Sequence, residues 1–175
     1  MPLADSAYSD FSEAVYISIM TEHDLLEVVE IEGHSGLSPW GWAAYYAELQ
    51  GCNRELMMVA RVAQPLEPVK TDQIAGYIVA RLAAEELHIN NVAVRVEYRR
   101  RGIGSALLTH IMEEGQRLDA TTALLEVRAG NSLAQALYAK CGFQGVGRRR
   151  SYYLAPQEDA VIMRAQLSGM LDSCG

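Results

Sequence analysis

The stretch from Asn91 to Leu108, Asn-Val-Ala-Val-Arg-Val-Glu-Tyr-Arg-Arg-Arg-Gly-Ile-Gly-Ser-Ala-Leu-Leu, constrains the fold more than any other part of the chain. It opens as an apolar strand and passes through a basic turn containing Gly102 and Gly104. It continues as a helix whose apolar stripe is Ile103, Leu107, Leu108, Ile111 and Met112. A helix that starts in a glycine loop directs unpaired backbone N–H groups and the positive end of its dipole outward. Glycine lets an oxygen-rich ligand approach that backbone without meeting a Cβ, and Arg99, Arg100 and Arg101 add positive charge. The pattern predicts a pyrophosphate cradle. It is not a P-loop, which requires Lys followed by Ser or Thr after its last glycine, because Ile103 follows Gly102. Nor is it a dinucleotide fingerprint, since Leu107 stands where a third small residue belongs. On the loop alone, a tight turn with solvated arginines stays an open alternative.

Around this stretch the chain alternates strands and helices. Val15 to Met20 reads as a strand. Thr21 to Asp24 resembles a capping box ahead of a helix carrying Leu25, Val28, Val29 and Glu32, which Gly33 and Gly36 end. Ser38 is expected as the N-cap of a second helix, with Pro39 at its first position. Strands are expected at Glu55 to Val62, Ile74 to Ala83 and Leu87 to Val94, with a proline-containing loop at Gln64 to Gln73. After the glycine-loop helix come a strand at Thr122 to Val127, a helix from Asn131 to a C′ Gly142, and strands at Phe143 to Tyr153 and Ala160 to Ala165. The order β-α-α-β-β-β-α-β-α-β-β predicts an α/β fold, a mixed sheet with helices on both faces. Residues 15–167 are expected to form a single domain, between a polar arm at 1–14 and a tail at 168–175.

The composition narrows the functions available. A net charge of -7 argues against a protein that coats nucleic acid. Cys52, Cys141 and Cys174 are scattered, without a C-x-x-C pair, and the four histidines have no metal-ligand spacing, so no metal is expected. No apolar run reaches membrane-spanning length and no leader pattern opens the chain, which points to a cytoplasmic protein.

Three residues stand out as candidates for chemistry. Glu126 lies in the apolar strand Ala-Leu-Leu-Glu-Val-Arg, on one face with Leu124 and Arg128. It is either ion-paired, to Arg128 or to an arginine of another strand, or it is a base beside a cleft. Tyr138, on a stripe with Ala134, Leu137 and Cys141, is either a half-buried core tyrosine or a proton donor. Asn131 is a helix N-cap that can also bond an amide-bearing ligand. The aromatics Trp40, Trp42, Tyr45 and Tyr46 are expected in core packing. Tyr152 and Tyr153 with Arg148 to Arg150 form either a peptide clamp or a charged strand edge.

The spacing Arg99-x-x-Gly102-x-Gly104 after Val-Ala-Val resembles the acyl-CoA loop of the GNAT N-acetyltransferases. The runs Leu125 to Asn131, Ala136-Leu137-Tyr138, Cys141-Gly142-Phe143, Arg148 to Tyr153, Glu158-Asp159-Ala160 and Ser38-Pro39-Trp40 resemble the RimI-type ribosomal-protein alanine N-acetyltransferases within that group. The resemblance implies the GNAT fold, a mixed, mostly antiparallel central sheet flanked by helices. It implies acetyl-CoA as cosubstrate and, as partner, the N-terminal peptide of a ribosomal or other protein, with no direct nucleic-acid or membrane contact. It implies Glu126 as general base, Tyr138 as general acid and Asn131 as a CoA contact. Val92, Ala93 and Val94 would pair with the pantetheine arm, and Arg99, Arg100, Arg101, Gly102, Ile103, Gly104 and Ser105 would hold the pyrophosphate. Two departures occur: Gly130 stands where the motif usually has Ser, and Gly36-Leu37 replace a Ser-Phe pair. The alternatives are a GNAT acting on other protein N-termini, on lysine or on a small amine, and an acyl-CoA-binding module without turnover. The oligomeric state is left open.

Overall fold

The computed structural model describes residues 14–52, 56–63 and 73–167. The expected arm at 1–14 (save Ala14), most of the loop at 64–73, the tail at 168–175 and the start of the second strand at Glu55 lie outside the described residues. Seven strands form one sheet: β1 (Val15–Ile19), β2 (Met57–Val62), β3 (Gln73–Ala83), β4 (Glu86–Val94), β5 (Thr122–Arg128), β6 (Gln144–Leu154) and β7 (Gln157–Gln166), in the order β1-β2-β3-β4-β5-β7-β6. Every neighbouring pair is antiparallel except β4 with β5. The helices are α1 (Leu25–Gly33), α2 (Gly41–Leu49), α3 (Ile103–Arg117) and α4 (Ser132–Lys140). This is the mixed α/β fold read from the element order.

Each face of the sheet carries its own apolar layer. On one, Leu107, Leu108, Ile111 and Met112 of α3 and Tyr138 of α4 pack on Ala123, Leu125 and Val127 of β5 and Ile78 and Ala80 of β3. On the other, Leu25, Val28 and Ile31 of α1 and Tyr45 of α2 pack on Met57, Val59, Tyr77, Val79 and Ala93. The stripe spacing of α3 predicts this layer, since positions three and four apart share a helix face.

One extra residue switches the side that the odd-numbered residues of β4 face. Its pairing with β3 shifts between Val79↔Asn91 and Ala80↔Ile89, so Asn90 bulges out of register. Before the bulge, Leu87 and Ile89 point to the α3 layer. After it, Asn91 and Ala93 point to the α1–α2 side, while Val92 and Val94 pack against the α3 layer. A shift of one residue reverses every side chain beyond it.

One local expectation is corrected. Ser38 does not cap α2 and Pro39 is not its first residue: Trp40 is the N-cap and the helix starts at Gly41. The amides of Trp40 and Gly41 donate instead to the two carboxylate oxygens of Glu32 on α1, at 2.8 and 3.1 Å. An acceptor from a neighbouring helix replaces the local serine, and the helix begins where that acceptor reaches.

Candidate functional site

The parallel pairing of β4 and β5 runs over four positions, from Glu86↔Thr122 to Ile89↔Leu125, and stops at the bulge. Beyond it, β4 stays paired to β3 as far as Val94↔Gly76, and β5 stays paired to β7 as far as Arg128↔Ala160. The sheet therefore splays between two anchored strands. The edges of Val92, Ala93 and Val94 facing β5 have no ladder partner there, the Val94 carbonyl being met by Arg99 instead, and buried backbone amides and carbonyls require partners. An extended ligand bearing amides satisfies them by adding itself as a partial strand.

The glycine turn lies at the end of β4. Arg95 enters a short 3-10 turn (Val96–Tyr98), and the Arg99 Nε donates to the Val94 carbonyl at 3.0 Å, bracing the turn against the strand. Arg101 stacks over the Tyr98 ring at 5.2 Å. Gly102 is the N-cap of α3 at φ 79° and ψ 2°, a left-handed conformation that costs other L-residues strain. Ala106 N–H bonds the Gly102 carbonyl, while Ile103, Gly104 and Ser105 N–H groups have no backbone acceptor among the described residues. The turn therefore leaves three backbone N–H groups at the start of α3 outside the backbone hydrogen bonds among the described residues. The two glycines have different reasons, though. A Cβ on Gly102 would meet nothing within 4 Å, so its backbone angle is what matters. A Cβ on Gly104 would lie 3.1 Å from Leu137 Cδ2, so that glycine lets α3 approach α4.

Glu126 is the first β5 residue beyond the paired stretch. Ala123, Leu125 and Val127 are buried in the α3 layer, so Glu126 faces the other side with half-buried Leu124 and Arg128. Its Oε1 lies 3.4 Å from Arg149 Nε on β6, which is the ion pair with another strand's arginine. Arg128 is engaged elsewhere: it meets Glu158 at 3.2 Å, donates to the Ala155 and Pro156 carbonyls, and covers the Tyr153 ring at 4.1 Å. Glu158 also accepts from Gly130 N–H at 2.6 Å, and a Cβ on residue 130 would sit 2.8 Å from that carboxylate oxygen. Glycine at this departure from the motif leaves room for the Glu158 bridge.

Tyr138 comes from the opposite face. It is 8% exposed, packs edge-on to Phe143 at 6.0 Å, and its hydroxyl bonds no described side chain. No fully buried side-chain oxygen or nitrogen among the described residues is left without a partner, so this hydroxyl reaches open space. Burial, then the neighbouring Tyr153, holds its proton well above the usual tyrosine range. Tyr153 thus lies between the two candidates, its own hydroxyl donating to the Glu126 carbonyl at 3.4 Å. Asn131 caps α4, accepting from Ala134 N–H at 3.1 Å, which leaves its amide hydrogens available to a ligand. Cys141 has its thiol raised by burial, with Ser105 beside it opposing, as suits a packed side chain. Among the described residues no His, Cys, Asp and Glu group forms a metal cluster, and no helix is long and apolar enough to cross a membrane.

Val92–Val94, the turn that follows them and Glu126 thus all lie beyond the point where β4 and β5 part, and Tyr138 packs on the α3 side of β5. Reasoning from sequence missed Glu32, a buried carboxylate whose signal was its position on the apolar stripe of α1.

Residues 25–143 match the acetyltransferase (GNAT) family. The chain is 32% identical over 154 residues to the [ribosomal protein bS18]-alanine N-acetyltransferase of Salmonella typhimurium, covering 87% of this chain and 97% of that protein. It is 35% identical over 144 residues to the putative enzyme of the same name from Bacillus subtilis, covering 82% and 90%. The crystal structure of the ribosomal-protein-S18-alanine N-acetyltransferase from Escherichia coli superposes with a TM-score of 0.71 at 32% identity, over 89% of this chain and 95% of that one. Ard1 from Thermoplasma volcanium superposes with a TM-score of 0.77 at 26% identity, over 87% and 97%. Fold, splayed strands and sequence agree: the chain is an acetyl-CoA-dependent N-acetyltransferase and belongs to the GNAT family.

Proposed function

We propose that the chain acetylates the α-amine of a protein N-terminus, with the N-terminal alanine of ribosomal protein bS18 as its substrate. The observation that supports this reading is the end of the β4–β5 pairing at Ile89↔Leu125, with an acidic side chain beyond it on one face of β5 and a phenol packed on the other. The relatives named for bS18 supply the substrate. Residues 15–167 act as the catalytic domain.

In this reading Val92, Ala93 and Val94 pair with the pantetheine amides, and Arg99 to Ser105 hold the pyrophosphate at the start of α3. Asn131 adds a contact from its amide. The α-amine, with a reference pKa of about 8, is mostly protonated near neutral pH and must lose a proton before it attacks. Glu126 takes that proton, directly or through water, on the face where the peptide lies. The amine nitrogen bonds the thioester carbon, and backbone N–H groups at the splay stabilise the oxygen as it gains charge. The C–S bond breaks, Tyr138 gives its proton to the leaving sulfur, and the second amine proton returns to solvent. The raised proton affinity of Tyr138 keeps it in the donor form throughout the neutral range.

The test is turnover of acetyl-CoA with peptides beginning Ala-Arg, Ser and Met, plus controls with a blocked α-amine, with products mapped by mass spectrometry. Acetylation confined to the α-amine and strongest on alanine is expected. Acetylation confined to lysine side chains, or none, overturns the reading.

A further inference from the structure

The α1–α2 face holds a polar cluster that the transfer chemistry does not use. Glu32, 2% exposed, accepts three hydrogen bonds: from Trp40 N–H, from Gly41 N–H and, at 2.6 Å, from the Tyr45 hydroxyl. The Tyr45 hydroxyl has given its only proton to Glu32, so its contact with Tyr77 at 3.0 Å makes Tyr77 the donor. Asn91, 6% exposed, donates its amide to the same hydroxyl at 2.8 Å. One tyrosine oxygen thus gathers α1, α2, β3 and β4, and the β4 residue it holds is the first beyond the bulge, next to Val92.

Glu32 and Gly41 bracket the loop between α1 and α2. The near end of that loop reaches the cleft: His34 and Ser35 share a cavity of about 220 Å³ with Val94, Arg95 and Arg99 at the end of β4. α1 is fixed to the same place by Arg95, which meets Glu27 and Glu30 at 3.1 Å each and donates to the Ile74 carbonyl. In the loop, Gly36 and Gly41 sit at positive φ with no neighbours around their missing Cβ atoms. Besides the bonds to Glu32, it is held at its ends: the Ser35 hydroxyl donates to the Ile31 carbonyl, and Leu37 and Trp40 pack on the α1–α2 core, with Trp40 stacked on Tyr45 at 5.4 Å. It borders the face toward which Glu126 points.

We infer that Glu32 is a positioning residue for the acyl acceptor: through Trp40, Gly41 and Tyr45 it clamps the α1–α2 loop to the bulged part of β4 and so shapes the peptide side of the cleft. This rests on the peptide-acetylating reading above. Removing the clamp loosens the loop without touching the turn at α3. Replacing a buried acceptor leaves its donors unsatisfied, which mutational series find costly.

The experiment compares the full chain with Glu32→Gln and Tyr45→Phe. It measures KM for the alanine peptide, kcat, the Kd for acetyl-CoA, and amide hydrogen exchange over residues 34–41. For Glu32→Gln, a peptide KM raised about tenfold is expected, equivalent to about 1.4 kcal/mol of acceptor binding. Unchanged acetyl-CoA affinity, nearly unchanged kcat at saturating peptide, and faster exchange confined to 34–41 should accompany it. Tyr45→Phe keeps both amide caps and should show the same split at smaller size, and it serves as the test if Glu32→Gln does not fold. A role in stability alone would lower the melting temperature and the active fraction while leaving peptide KM unchanged, and that result overturns the inference. Unchanged exchange over 34–41 overturns it as well, and exchange needs no turnover. Failure of the functional reading would look different: no peptide is acetylated by the unaltered chain, yet the loop still loosens in Glu32→Gln.

Discussion

The two faces of the sheet are built by different means. The α3–α4 face is apolar packing plus a turn whose geometry is written in adjacent residues: a strand, three arginines, Gly102 in a left-handed conformation, and a stripe at helical spacing. The α1–α2 face adds to its own apolar layer polar contacts between residues far apart in the chain, such as Glu32 with Tyr45 and Asn91 with Tyr45. In the function proposed above, one face would present backbone to acetyl-CoA, which is the same molecule in every turnover, and the other would present side chains and a loop to the acceptor. A family can keep the first and rebuild the second, and the departures from the motif at Gly36-Leu37 fall on the second.

The sharpest way to break this comparison is at the reacting centre, where the faces meet. Glu126→Gln and Tyr138→Phe should each lower kcat by about 10²–10⁴-fold, as loss of acid–base assistance does, with acetyl-CoA affinity retained in both. Pre-steady-state and calorimetric measurements separate the two effects, and normal turnover in either variant removes that residue's role. Next in size are the glycines. Gly102→Val forces a β-branched residue into the left-handed region at about 1–2 kcal/mol, and should raise the acetyl-CoA KM while leaving α4 in place. Gly104→Leu overfills the contact with Leu137 at about 1–3 kcal/mol, and because α4 carries Tyr138 it should lower kcat too. Equal effects from the two would mean that the turn is one rigid unit.

A milder effect should appear at high pH. Tyr45, Tyr77 and Tyr138 all have proton affinities raised chiefly by burial. Above the unfolded tyrosine pKa of about 10, the unfolded chain has lost protons that the folded chain keeps, so stability falls as pH rises. Below that pH their contribution is fully present. Thermal melts across the alkaline range should show this decline, and Tyr138→Phe should flatten it in part. The smallest change is expected for Arg149→Ala, because the pair with Glu126 is solvent-exposed and such pairs are worth about 0–1 kcal/mol. A large loss of stability in that variant would place Arg149 in the architecture rather than at the rim.

What could be read from the chain follows the same division. The glycine turn that opens α3, the α4 cap at Asn131, the C′ glycine at 142 and the facing of Glu126 come from neighbours a few residues apart, so spacing alone reveals them. The start of α2 was misjudged because Ser38 and Pro39 carry every local sign of a helix start, while the acceptor that decides the matter sits on another helix. The bulge at Asn90 has no local signature either, since it is set by how β3 and β4 register. Tyr153 shows the same limit: nothing near it in sequence says that it reaches the Glu126 carbonyl from the neighbouring hairpin.

That extra residue in β4 also bears on how such a chain can change over generations. Substitutions along the strand are absorbed one side chain at a time, but a length change is not. Deleting Asn90 would leave Asn91 opposite Val79 and on the Tyr45 side, but would remove the irregularity at which β4 parts from β5. Deleting Val92 instead would exchange inside for outside at Ala93 and Val94, just before the basic turn. Drift in this stretch is therefore free in spelling and fixed in count.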